Sequence, residues 1–318
     1  MFATTTLASL LDEQTSVLRT QLNAVYDGLA DAVHDSRVAT RRIREVLALV
    51  PAIPGRDGER DVATDFQKMG RALGKVRDID VQIALIKGLE VHAPESAPSM
   101  VVVRQDHERR RLMKMRRLIK TLERLEVDAL LHFIGDGHPS GLRTRLMARG
   151  WQQQIRRLAV ERSRTAIEAI AHATGVYFPR RAHYARIAIK QLRYAGEIGL
   201  RIGLSEMGSA IGPLKRGQEI LGDLHDRQVL ADHLASYAKR QGVDNDHVTL
   251  TRKVLEGEVL ALHTDYLGRR EPLRDACAEI ERVALQNVHL RSTLGLSAAL
   301  VSGLMCARAI AASRARAS

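Results

Sequence analysis

Apolar residues recur at three-, four- and seven-residue spacing along most of the chain. The first example is the series Leu7, Leu10, Leu11, Leu18 and Leu22. The same spacing runs through residues 59–90, 99–133, 142–173, 181–204, 206–241, 247–267 and 271–290. Gly and Pro cluster between these segments, and we find no strand-like alternation of useful length. The pattern therefore predicts an all-α protein of long antiparallel helices.

Two sequence motifs occur twice, in the same order. Residues 33–46 read VHDSRVATRRIREV and residues 182–195 read AHYARIAIKQLRYA, an offset of 149. Residues 73–81 read LGKVRDIDV and residues 221–229 read LGDLHDRQV, an offset of 148. Two motifs repeated in order predict a tandem duplication. We place the first repeat at 1–140 and the second at 141–290, followed by a C-terminal helix and basic tail over 291–318.

Each copy of the first motif has its basic residues on one helix face. These residues are His34, Arg37, Arg41 and Arg44 in the first copy, and His183, Arg186, Lys190 and Arg193 in the second. On a helical wheel each set falls within an arc of about 80°, and we call each set a basic stripe. The opposite face is apolar, with Ile43 in one copy and Leu192 in the other. We place Asp35, Glu45 and Glu197 outside the arcs, so that neither stripe includes an acidic residue.

A stripe of like charges is unfavourable unless it binds something. Repulsion costs a few tenths of a kcal/mol per pair, roughly, and a helix that needed only solubility would include Glu. A solvated helix face is the alternative for one stripe, but its repetition favours a binding role. Arg suits phosphate because its planar guanidinium donates two parallel hydrogen bonds, and Lys190 supplies a point charge.

The overall charge also points to a polyanion. The chain has 49 Lys and Arg against 37 Asp and Glu, a formal net charge of +12 and a pI of about 10.1. Residues 141–221 alone have 15 basic and five acidic residues. Nucleic acid, an anionic membrane and a phosphate polymer are the partner classes this implies. Two cysteines, Cys277 and Cys306, exclude a disulfide scaffold and a cysteine-based zinc site and favour a cytoplasmic protein.

The acidic residues of the second motif have two interpretations. Asp78 and Asp226 follow the Leu-Gly pairs, and each can orient an Arg of the neighbouring helix. The alternative is metal ligation, for which Asp78 would act with Asp80, but Gln228 stands at the second position in the other copy. The His-Asp pairs 34–35 and 225–226 are also found in metal-dependent phosphohydrolases. The further ligands which that activity needs are not supplied together, so we predict no metal and no catalytic residue.

On these motifs the chain resembles the CHAD family, the conserved histidine α-helical domain. The pattern is His-x-x-Arg-x-x-x-Arg/Lys-x-x-Arg, then Leu-Gly-x-x-Arg/His-Asp-x-x-Val, and the resemblance extends to about residue 290. It implies two four-helix bundles related by a pseudo-twofold axis. It also implies a basic central groove or pore that binds inorganic polyphosphate, and association with polyphosphate granules. The triphosphate-processing domain that some members carry is not found in this sequence.

The second copy departs from the first around its Leu-Gly pair. His225 stands for Arg77, Glu219 for Arg71, Asp223 for Lys75 and Gln191 for Arg42, while Lys215 and Arg216 partly compensate. The polyphosphate-binding residues expected outside the stripes are therefore Arg42, Lys68, Arg71, Lys75, Arg77, Lys215, Arg216 and His225.

The leading functional hypothesis is a non-enzymatic polyphosphate-binding protein without a cofactor. A nucleic-acid binder is the second, although only 3% of residues are aromatic and single-strand binders use aromatic platforms. A metal-dependent phosphohydrolase is the third. The chain shows no secretory signal, and its longest uncharged stretch, 292–307, has 16 residues, fewer than the roughly 20 of a membrane span. We expect that stretch to pack as a terminal helix, with binding to a membrane or a partner as the alternative.

Overall fold

The computed structural model describes residues 7–49, 61–92, 97–135, 146, 151–241 and 246–286. The helices of the first half are α1 Leu7–Tyr26, α2 Ala30–Leu47, α3 Val62–His92, α4 Ala97–Arg124 and α5 Val127–Gly135. Those of the second half are α6 Trp151–His172, α7 Pro179–Arg201, α8 Gly208–Gln241, α9 Asp246–Gly268 and α10 over 270–286. A single 3₁₀ turn, Ser205–Met207, precedes α8. The predicted all-α fold is confirmed.

One predicted helix is divided in two. The apolar pattern predicts a continuous helix over 99–133, but α4 ends at Arg124 and α5 begins at Val127. Between them Glu126 has φ of 46°, in the left-handed region that an α-helix of L-residues does not continue through. The break lets α5 fold back onto α1, where Arg19 donates a hydrogen bond of 3.0 Å to the carbonyl of Leu131.

Neighbours in sequence are also neighbours in space. In the first half α1 packs on α2, α2 on α3 and α3 on α4, and in the second half α6 packs on α7, α7 on α8 and α8 on α9. Helix α10, the last of the described helices, packs on the second half, because Leu273 lies against Gly217 of α8 and Ile280 lies beside Gly196 of α7. The copies of the repeated motifs therefore occupy the second and third helices of each run.

The hydrophobic core is mainly aliphatic and is shared by the two halves. One continuous cluster of buried residues includes Leu18 and Ile43 of the first half and Ile189 and Leu214 of the second. A smaller cluster joins the far ends of α3, α4, α8 and α9; its members are Ile86, Leu89, Met100, Val103, Leu230, Leu234 and Leu255. Burial of these side chains fixes the orientation of the two runs, since apolar area removed from water stabilises by about 25 cal/mol per Å².

Two sequence predictions concern membranes and the chain end. None of the helices among the described residues is long and apolar enough to span a membrane. The apolar stretch 292–307 and the basic tail that follows it lie outside the described residues.

Candidate anion-binding site

The two basic stripes lie on α2 and α7, with their apolar sides in the core. Ile43 and Leu192, expected opposite the stripes, are both fully buried. In the first stripe His34 is exposed, while Arg37, Arg41 and Arg44 are half-buried. This agrees with the helical-wheel prediction, because burial of one face leaves the other beside the neighbouring helices.

The Leu-Gly pair makes room for the first arginine of each stripe. A Cβ atom built on Gly74 of α3 would lie 3.4 Å from Nε of Arg37, and one built on Gly222 of α8 would lie 3.8 Å from Nε of Arg186. The guanidinium stem therefore passes directly over the helix backbone in both halves. The sequence signal for this contact was the repeated Leu-Gly pair, but the pair alone does not show which side chain lies over it.

Charges from α2, α3, α7 and α8 meet at one place. Asp78 of α3 interacts electrostatically with Arg37 of α2, with Arg77 of its own helix and with Arg186 and Lys190 of α7. We call the following residues the central basic cluster: His34, Arg37, Arg41, Arg77, His183, Arg186, Lys190 and His225. The cluster thus combines side chains from both stripes.

Asp78 holds one arginine of the cluster only weakly. Its Oδ1 lies 3.8 Å from Nη2 of Arg37, in a partly exposed pair. A pair of this kind contributes about 0–1 kcal/mol, whereas a hydrogen bond to a charged group contributes about 1.5–3 kcal/mol. Arg37 can therefore exchange Asp78 for a phosphate. The contact between Asp78 and Arg37 supports the interpretation of Asp78 as a residue that orients this arginine.

Burial among like charges lowers the pKa of several cluster residues. Desolvation, with the positive charges of Arg186, Arg41 and Arg37, lowers the pKa of Lys190 to about 8. Desolvation, with the charge of Arg186, lowers the pKa of His225 to about 4, and its ring centroid lies 5.0 Å from that of His183. Asp78 and Asp226 are two carboxylates that interact with four cations, Arg37, Arg77, Arg186 and Lys190.

Asp226 and Asp80 have different roles from Asp78. Asp226 interacts electrostatically with Arg186, and its carbonyl accepts a 3.1 Å hydrogen bond from Gln82. Asp80 is buried and accepts a hydrogen bond from Nε of Arg111, and Nη2 of the same arginine donates to the carbonyl of Gly28 at 2.8 Å. Asp80 therefore fastens α4 to α3. In the described part of the chain no three metal-ligating side chains form a group.

Several predicted contact residues are engaged outside the cluster. Lys68 pairs with Asp65 at 3.2 Å, Lys215 with Glu219 at 3.9 Å, and Arg193 with both Glu197 and Gln218. We expected Glu197 to lie outside the second stripe, and this expectation is wrong, because four-residue spacing brings it onto the same face as Arg193. The remaining members, Arg42, Arg44, Arg71, Lys75 and Arg216, lie along α2, α3 and α8, and all but the half-buried Arg44 are exposed.

One contributor to the site was not identified from the sequence. Tyr194 of α7 is buried, with the guanidinium of Arg41 4.4 Å and that of Arg193 4.7 Å from its ring centroid. A cation over an aromatic face is attracted to it, so Tyr194 holds Arg41 of the other half in place. Comparison of the two motif copies did not point to Tyr194, because the corresponding residue of the first copy is Glu45 and not an aromatic residue.

The fold and the site define an all-α protein in which basic residues from two helical runs meet. The chain belongs to the CHAD family: the model of the CHAD domain matches residues 9–235. This family is associated with polyphosphate binding, and its domain is generally a binding domain.

The solved structures that resemble this chain are distant from it in sequence. The crystal structure of the CHAD domain from the plant Ricinus communis has 20% sequence identity and a TM-score of 0.61, covering 86% of this chain and 90% of that one. The structure of PptA from Streptomyces chartreusis has 16% identity and a TM-score of 0.49, covering 87% and 99%. At 20% identity, the likeness to the plant domain shows the fold alone. The search of curated proteins found no match.

Proposed function

We propose that the protein binds inorganic polyphosphate through the central basic cluster, as a binding protein and not as an enzyme. The observation that carries the proposal is the meeting of the two stripes around Asp78, where cations outnumber carboxylates. A linear polyanion supplies a negative charge on every unit and can contact α2 and α7 together. Family membership supports the same ligand.

The cluster favours a phosphate polymer over a nucleic acid. Single-strand binders stack bases on free aromatic rings, at about 1–3 kcal/mol per base. Tyr194, the tyrosine beside the cluster, is buried and already carries Arg41 and Arg193 against its ring. The aromatic ring that the cations of the cluster contact is therefore not free to stack a base.

The larger organisation is part of the same proposal. We propose that residues 1–140 and 141–290 are duplicated four-helix bundles whose shared boundary forms a basic groove. The placement of the motifs on the second and third helices of each run supports this division. A cytoplasmic protein of this kind would associate with polyphosphate granules through the groove.

A competition titration tests the ligand. Polyphosphate is expected to displace a labelled polyphosphate at much lower phosphate concentration than DNA, RNA or ATP at one ionic strength. Equal competition by DNA would instead indicate a general phosphate-backbone binder. Incubation with Mg²⁺ or Mn²⁺ should release no orthophosphate, and release at catalytic rates would show a phosphohydrolase.

Paired substitutions test the site. Arg37→Ala with Arg41→Ala, or Arg186→Ala with Lys190→Ala, should each weaken polyphosphate binding, at about 1.5–3 kcal/mol for each phosphate hydrogen bond removed. Arg116→Ala with Arg117→Ala is the matched control, because these exposed arginines of α4 lie outside the cluster. Equal losses of affinity in control and test variants would show that binding is diffuse and that the stripes have no special role.

A further inference from the structure

A pocket of about 220 Å³ lies between α1, α2 and α7, next to the central basic cluster. One side of it is apolar, formed by Leu10, Val46, Ile198 and Leu200, which we call the apolar wall. Arg41 also lines the pocket, so the pocket and the cluster share one side chain. A concave, mostly apolar site with a few polar groups is the usual form of a small-molecule site.

The carboxylates that line this pocket are already neutralised. Glu45 accepts a 2.8 Å hydrogen bond from Arg162, and Glu197 is bonded to Arg193. Among the described residues, no carboxylate lies within ion-pair distance of Arg41 or Arg42. Counted over the described residues, the charges at the pocket without an ion-pair partner are therefore those of Arg41 and Arg42.

Two buried polar atoms at the pocket have no partner in the described part of the structure. They are the hydroxyl oxygen of Tyr194 and Nε of Arg41. Tyr194 is only 3% exposed, and a buried polar group without a hydrogen bond costs about 1–3 kcal/mol. Arg41 and Tyr194 both line the pocket and both atoms can donate a hydrogen bond, so an acceptor that reaches them would remove this cost.

Arg162 of α6 links two of the helices that form the pocket. It donates to Glu45 of α2, which lines the pocket, and at 2.8 Å to the carbonyl of Gln191 of α7. Gln14 of α1, which also lines the pocket, donates to its neighbour Glu13.

We propose that this pocket binds a small organic anion with an apolar body. Its acidic group accepts hydrogen bonds from Arg41, Arg42 and Tyr194, and its body lies against the apolar wall. The site is separate from the proposed polyphosphate site but uses Arg41 in common. An occupant therefore competes with polyphosphate for Arg41, which makes the pocket a place where a metabolite can weaken polymer binding.

The fluorescent anion 8-anilinonaphthalene-1-sulfonate tests the pocket on the full-length protein, since it joins one sulfonate to apolar rings. We expect saturable binding of one molecule per chain. Ile198→Trp fills the pocket and should weaken this binding at least about tenfold, while polyphosphate affinity stays unchanged. The matched control is Leu260→Trp, at an exposed position of α9, which should leave both affinities unchanged.

Two further measurements test whether the pocket recognises the negative charge of the probe, and neither of them changes the packing of the core. Arg42→Glu, at an exposed position, should also weaken binding by about tenfold. The uncharged analogue N-phenyl-1-naphthylamine should bind wild-type protein at least about tenfold more weakly than the sulfonate. Wild-type binding by the folded Ile198→Trp variant, or equal affinity for the two probes, would overturn the proposal. Loss of polyphosphate binding with the probe still bound would overturn only the polymer site.

Discussion

At the scale of single residues, the glycine of each Leu-Gly pair controls an arginine on another helix. A Cβ at Gly222 would lie in ordinary contact with Arg186, at 3.8 Å, so alanine fits there. Gly222→Ala should therefore stabilise α8 by up to about 1 kcal/mol, measured by urea unfolding, and leave polyphosphate affinity unchanged.

A larger side chain at the same position should weaken polyphosphate binding. Gly222→Leu would occupy the path of the guanidinium stem and displace it from the cluster. We expect weaker polyphosphate binding in titrations, with a folded protein by circular dichroism. Unchanged affinity would mean that Arg186 does not need its position over the backbone.

Lys190 should make binding sensitive to alkaline pH. Its pKa of about 8 rises again when a phosphate lies beside it, so above pH 8 binding requires uptake of a proton. Affinity should then fall with rising pH, by up to about tenfold per unit, whereas below pH 8 Lys190 is charged in both states. Lys190→Arg should flatten the profile between pH 8 and 10, and a variant profile identical to wild type would exclude Lys190 from the site.

The histidines should act at the acidic end of the same profile. Burial, with nearby cations, lowers the pKa values of His34 and His183 and so favours their neutral forms. A bound polyanion favours their protonated forms, so affinity should rise as the pH falls through the range in which they take up protons. Polyphosphate titrations of a variant with both His34→Asn and His183→Asn, over the same pH range, measure the contribution of the two histidines. If the rise in affinity persists in this variant, other groups cause it.

At the scale of helices, close packing of α8 and α10 depends on the absence of a side chain. A Cβ at Gly217 would lie 2.5 Å from a terminal carbon of the buried Leu273, too close for a real contact. Gly217→Ala should destabilise the protein by about 1–3 kcal/mol, measured by urea unfolding. Gly257→Ala in α9 is the control, because nothing lies within 4 Å of that position and alanine should stabilise the helix.

At the scale of the whole molecule, two stripes that meet should prefer long polymers. Once one stripe is bound, contact with the other becomes intramolecular, so affinity should climb with chain length and level off when both are spanned. Disabling either stripe should cost long chains much more than tripolyphosphate. A length series on wild type and the two double variants measures this, and equal penalties for short and long chains would show two separate sites.

The dependence of polyphosphate affinity on salt is also a property of the whole molecule. Each neutralised phosphate releases condensed counterions, so log affinity should fall linearly with log salt, with a slope of several units. A slope near zero would contradict an electrostatic site. Variants that lack one stripe should show a smaller slope, because they neutralise fewer phosphates of the bound polymer.

Much of the architecture could be predicted because it depends on local geometry. Helical period and side-chain polarity determine which face of α2 and α7 is buried, and Ile43 and Leu192 confirm it. The class of protein and the basic stripes follow from the same information. The sequence did not reveal the break at Glu126, because the spacing of apolar residues continues almost unchanged across the left-handed turn between α4 and α5.

Contacts between helices were decided only by the tertiary structure. The stripes predict eight basic residues alike, yet Arg193 is held by Glu197 and Gln218 while Arg37 and Arg186 converge on Asp78. Which cation lacks a partner depends on the side chains that neighbouring helices bring within a few ångströms. Sequence spacing along one helix does not contain that information. The pocket beside Arg41 arises in the same way, from a gap between α1, α2 and α7 that only packing creates.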